Sequence, residues 1–195
     1  MTKLLFSVLL TFVVQSSFAQ TLSYEDFKTL VPSLKKEAWA TVYQDSQALL
    51  DNAPQDTSDF HAIILYIHLC AGAGMVSESQ LSYEELQANA LNYQGQRVIM
   101  AAHPVSKAEG GLNQTSIDKE NGKYTAFTSA ANVKGTSIFC FEKFTFSKKI
   151  KIKKFPVGSF VRCGGTLEKI EFNPNQSKIW IMRLTVSDAF IRKLE

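Results

Sequence analysis

The residues on either side of Tyr93-Gln94-Gly95 follow different periods, and this change constrains the fold more than any other feature of the 195-residue chain. Before it, apolar side chains recur at helical spacing; Phe60, Ile63, Ile64, Ile67 and Ala71 are the clearest set. After it, apolar and polar residues alternate, with Val98, Met100 and Ala102 on one strand face and Trp180, Met182, Leu184 and Val186 on another. Charge divides at the same place. Residues 20–92 carry ten acids and three bases, whereas residues 93–195 carry eight acids and seventeen bases. The chain therefore reads as α+β, with a helical region over 20–92 packed on a strand-rich domain over 93–195.

In the helical region, "LSYEDF" at 22–27 and "LSYEEL" at 81–86 each place a serine three residues before an acid. Ser23 with Asp26 and Ser82 with Glu85 are thus capping boxes. Pro32 is expected to open a longer helix running to about Leu50, with Val31, Leu34, Ala38 and Val42 on one face. "NAPQDTSD" reads as a loop, with Ser58 capping the helix after it. "AGAGM" either admits a close neighbour or ends that helix.

Five strands are expected in the second half, over 97–105, 123–129, 136–146, 160–172 and 178–188. Gly164-Gly165 inside the fourth marks a bulge or a sharp corner. Five strands in about a hundred residues predict a small barrel or sandwich.

The segments "GQRVIMAAHPV", "KYTAFTS", "TSIFCFEKF", "FPVGSFVRCGGTLEKIEF" and "KIWIMRLTVSDAFI", in that order, resemble the OB-fold. In particular they resemble the bacterial tRNA-anti-like OB families of exported proteins, with a G-x-x-V strand first and Gly158, Val161, Gly165 and Leu167 in the fourth. The resemblance spans residues 94–191. It implies a five-stranded OB-like β-barrel and a tendency to bind, without specifying a ligand. Two departures stand out: residues 106–122 make a long first loop, and a lysine-rich stretch replaces the usual helix between the third and fourth strands.

The N-terminus reads "MTKLLFSVLLTFVVQSSFAQ". Lys3, an apolar run over 4–14 and the small residues Ser17 and Ala19 follow the order of a secretory signal peptide cut near Ala19. That run is shorter than the roughly twenty residues a bilayer requires. The expected mature chain is periplasmic or secreted and has no transmembrane segment once the signal is removed. Three cysteines are too few for a disulfide scaffold, but export permits one bridge. Cys140 with Cys163, on the expected third and fourth strands, is the pair considered. The sequons at Asn113 and Asn175 are read as chance occurrences.

Five lysines fall within 148–154. Read as an extended segment from Phe144 to Lys154, the stretch puts Lys149, Lys151 and Lys153 on one face and mostly apolar residues on the other. Three accounts follow. The lysines guard an exposed edge strand against self-pairing, or the basic half docks on the acidic half. Alternatively they grip nucleic-acid phosphates, joined by Arg162 or Arg183, with Phe139, Phe141 and Trp180 for stacking. Solubility and docking are the expected roles.

Catalytic spacing is missing. His61 and His68 stand seven residues apart on one helix, His103 is alone, and there is no H-E-x-x-H, C-x-x-C or G-x-S-x-G. Glu171 and Asp188 are the only carboxylates considered as facing each other across strands. The chain is expected to be a non-enzymatic binding or interaction protein of the cell envelope, needing no cofactor or metal. Its expected partner is an envelope or secreted protein, or an anionic envelope polymer. A nucleic-acid-binding OB protein is the alternative, and an enzyme with an unrecognised site the third reading.

Overall fold

The computed structural model describes residues 20–107, 111–120 and 122–194. The signal peptide expected over 1–19 lies outside the described residues. Among those residues, four helices precede a mixed seven-stranded sheet.

Helix α1 (Tyr24–Lys35) and helix α4 (Tyr83–Ala90) both begin in complete capping boxes, with Ser23 paired to Asp26 and Ser82 to Glu85. Pro32 does not open a helix; it lies inside α1. The stop comes five residues later, where Glu37 takes φ 52°. Its amide donates to Leu34 O and the Ala38 amide to Ser33 O, a Schellman ending that forces the chain to restart as α2 (Trp39–Asn52).

Helix α3 (Asp59–Ser77) is apolar around its whole circumference because it is packed on most sides. By length and composition it would suit a membrane, contrary to the expectation that no such run follows the signal; here it is the core helix. Its "AGAGM" segment continues the helix and admits close neighbours. A Cβ on Gly74 would lie 2.5 Å from the Trp39 ring, and one on Gly72 2.7 Å from Leu86. Ser58 caps α3 through the His61 amide at 3.1 Å, and its hydroxyl also donates to Asp56 Oδ2 at 2.8 Å. The Ser58→Ala variant is expected to lose about 1 kcal/mol of stability, measured by chemical denaturation.

The strands are β1 (Arg97–Ile99), β2 (His103–Pro104), β3 (Thr115–Glu120), β4 (Lys123–Ala131), β5 (Ile138–Phe146), β6 (Phe160–Phe172) and β7 (Trp180–Lys193). They pair in the order β1-β6-β7-β5-β4-β3, with β2 also on β6. All neighbours are antiparallel except β5 and β7.

The sheet is open, not the closed five-stranded barrel expected. The anticipated first strand breaks after Ile99 into β1 and β2, both on β6. The stretch taken for a loop contains β3, which pairs with β4 at the opposite edge. Among the described residues a single bridge, Val105 to Thr115, links the two parts. Gly164-Gly165 does mark a register shift, between β6 and β7.

The lysine stretch is also corrected. Strand β5 ends at Phe146, paired to Tyr124 near the start of β4, and among the described residues no strand continues beside it. Without a partner for its backbone, alternation alone makes no strand. Residues beyond it form a loop with a 3-10 turn at Ile152–Lys154.

One hydrophobic core joins the two halves, with α3 laid on the sheet. Polar ties cross the same boundary. Asp59 accepts from Arg97 Nη2 at 2.6 Å and Arg192 Nη1 at 2.9 Å, linking α3 to β1 and β7. The Arg97 hydrogen bond holds the Asp59 carboxyl below its usual range. The Tyr83 hydroxyl donates to Ser177 O at 2.8 Å, fastening α4 to the β6–β7 loop.

Candidate functional site

The sheet face turned away from α3 carries the candidate site. In β5, Cys140, Glu142 and Phe144 point toward the helices, so Phe141 and Lys143 point outward. Register does the rest: Lys143 lies opposite Phe127 of β4 and Thr185 of β7, and Phe141 lies opposite Ser129 and Arg183. Arg183 in turn faces Glu171 of β6. These side chains, with Ser116 of β3 and the Gly111–Gln114 segment as a wall, line a groove of about 480 Å³.

Both cations in the groove rest on aromatic rings. Lys143 Nζ is 5.6 Å from the Phe127 centroid, and the Arg183 guanidinium is 4.6 Å from that of Trp180. The Phe141 and Trp180 rings are 6.2 Å apart. Cation–ring contacts hold the charged heads in place without neutralising them. Glu171, the acid at the groove's margin, is paired to Lys169 at 2.8 Å, and that hydrogen bond lowers its pKa.

Behind the groove, on the helix side, lies a buried polar cluster. The Tyr66 hydroxyl of α3 donates to Glu142 Oε1 at 2.8 Å, while Glu142 Oε2 has no protein partner. Burial pushes the Glu142 carboxyl up to about 8, so it is mostly protonated at neutral pH. Cys70 Sγ and Cys140 Sγ stand 3.7 Å apart, and burial raises the pKa of Cys140 and of Cys163. All three thiols are free. The Cys140–Cys163 bridge is not formed, because β7 runs between β5 and β6.

The five basic residues singled out from sequence do not form one patch. Lys149, Lys151 and Lys153 are exposed on the loop after β5. Arg162 lines a different cavity, between helices and sheet, and only Arg183 lies in the groove. Of the three stacking aromatics, Phe141 lines the groove and Trp180 stands beside it, against Phe141 and Arg183. Phe139 turns to the helices instead, its ring 4.8 Å from Trp39, because the register shifts at Ala130/Ala131 and inserts it as an extra residue.

Glu171 faces Arg183 and not Asp188. His68 is buried between Tyr43 and Tyr93, with Nδ1 3.1 Å from Ser46 Oγ, and desolvation depresses its pKa to about 4. Among the described residues no group of three His, Cys, Asp or Glu is placed to hold a metal ion.

Sequence reasoning missed Phe127, Lys143, Tyr66 and Glu142. Phe127 and Lys143 were legible as outward positions of expected strands, but the register that pairs them was not. No protein-family model, curated protein or solved structure matches the chain.

Proposed function

We propose that this protein is an exported, non-enzymatic binding module of the cell envelope, and that its groove takes an anionic polymer built from ring-shaped units. The observation that carries this reading is the set of ring-mounted cations, Lys143 on Phe127 and Arg183 on Trp180, flanking Phe141 on one open face. Rings of a polymer stack on exposed aromatics while its charges meet the cations.

The finer fold assignment belongs to the same proposal. Counting β1, β2 and β3 as one interrupted strand leaves five, with the last lying between the third and fourth. This supports a partly open OB-type barrel, in which the second and third strands carry the ligand. Here those are β4 and β5, which supply Phe127, Phe141 and Lys143.

An acidic polysaccharide, polygalacturonate, and single-stranded oligo(dT) are the two probes. Polygalacturonate is expected to bind with an affinity that falls as salt rises. Arg183→Ala and Lys143→Ala should each weaken it about tenfold. Changing Lys149, Lys151 and Lys153 together to Ser should leave it within about twofold. Tight binding of oligo(dT) alone, lost on Phe127→Ala and Phe141→Ala, would favour the nucleic-acid reading through the stacking rings. Binding of neither polymer overturns the proposal.

A further inference from the structure

A second cavity, of about 490 Å³, lies between the helices and the sheet, on the side away from the groove. That volume is typical of small-molecule sites. Aromatic rings mark its opening: Tyr24 is 56% exposed, and its ring lies 6.1 Å from both Phe27 and Phe60. Ile63, Ile67 and Met100 continue the lining inward, and Met100 is fully buried. A lining of this kind accepts apolar matter.

Two nitrogens interrupt the apolar lining. His103 Nε2 and Arg162 Nε are both buried, and neither has a hydrogen-bond partner among the described residues. His103 as a whole is only 8% exposed. Among the described residues Arg162 makes no ion pair. A guanidinium with a buried, unpaired nitrogen is costly unless an anion meets it, and its planar fork matches a carboxylate.

We propose that this cavity is a binding site for an amphipathic carboxylate of the fatty-acid class. The acyl chain occupies the apolar interior between α1, α3 and the sheet, and the carboxylate meets Arg162 and His103. The site is separate from the groove, and neither proposal depends on the other.

Calorimetric titration of the full chain with octanoate, decanoate and dodecanoate, and with methyl dodecanoate, tests it. Affinity should rise about fourfold per added methylene until the cavity is full. Arg162→Met keeps an apolar stem and removes the charge. It should weaken the acids about tenfold or more while leaving the methyl ester unchanged. Ile63→Trp fills the space and should abolish binding of acids and ester alike, whereas Arg183→Ala, in the groove, should change nothing. If Ile63→Trp fails to fold, the chain-length series and Arg162→Met decide the matter. The proposal is overturned if no fatty acid binds saturably, if affinity ignores chain length, or if Arg162→Met binds the acids as tightly as the parent.

Discussion

The Glu142→Gln variant will be more stable than the parent at neutral pH, and its advantage will widen between pH 6.5 and 8. Glu142 titrates near 4.5 in an unfolded chain and at about 8 when folded, because burial disfavours its charge. Over that interval the folded state holds a proton the unfolded state has released, so stability falls as pH rises, by up to about 1.4 kcal/mol per unit. His68 acts in the opposite sense. Its folded pKa of about 4 lies below the usual 6.5, so stability rises with pH until the unfolded imidazole is neutral. His61 and His103, also lowered by burial, share that sense.

The two effects offset each other below about pH 6.5. From 6.5 to 8 the histidine effect fades as the unfolded imidazoles become neutral, Glu142 dominates, and the parent should lose on the order of 1 kcal/mol. Gln keeps the carbonyl that accepts from Tyr66 and has no proton to lose, so that slope should vanish. The variant should exceed the parent by about 4 kcal/mol at pH 8. Beyond about 8.5 both proteins should weaken together, as unfolded thiols ionise before the buried Cys140 and Cys163. Denaturant unfolding at a series of pH values is the measurement. Parallel curves for parent and variant between pH 6.5 and 8 would mean that Glu142 is not a buried neutral acid.

Replacing Gly165 with Ala should be among the most damaging single changes. A Cβ there would stand 2.5 Å from Ser187 O and 3.0 Å from Ala189 Cα, both in the backbone of β7. A side chain can rotate away, but a strand fixed on both sides by β5 and β6 cannot shift without breaking ladder bonds. A loss of about 3 kcal/mol is expected, lowering Tm by roughly 6–12 °C in a chain of this size. Gly158→Ala supplies the contrast. Gly158 needs φ +86° but has nothing within 4 Å of its Cβ position, so only backbone strain of about 1 kcal/mol applies. Equal melting temperatures for the two variants would rule out the close approach at the bulge.

What the sequence revealed, and what it concealed, follows from how local each cause is. Ser23, Ser58 and Ser82 announce helix starts because a cap depends on three or four adjacent residues. Gly164-Gly165 announces a bulge because only glycine tolerates such close backbone. Strand β3 stayed hidden because "TSIDKE" is polar and short, and its pairing with β4 comes from elsewhere in the chain. The lysine alternation misled for the converse reason: the pattern was present but no neighbouring strand was there to pair with it. The groove needs three strands in register, so its aromatic and basic residues were visible singly and their meeting was not. Phe139 was read as a stacking ring beside Phe141 but turns to the helices, since a single inserted residue exchanges the faces of a strand.

The position of β7 bears on when this chain is able to fold. It is the last described strand along the chain, yet it lies inside the sheet between β5 and β6, with β5 running parallel to it. A nascent chain that has delivered everything up to Phe172 therefore holds two strands with no ladder between them. The sheet cannot zip up in the order of synthesis; its central contacts wait for residues 180–193 and close over long sequence separations, which is slow. Until then the edges of β5 and β6 that β7 will join stay unpaired, although the helices already made can cover the apolar face of β5. Late insertion of a central strand thus acts as a timer, delaying closure of the sheet until residues 180–193 have emerged.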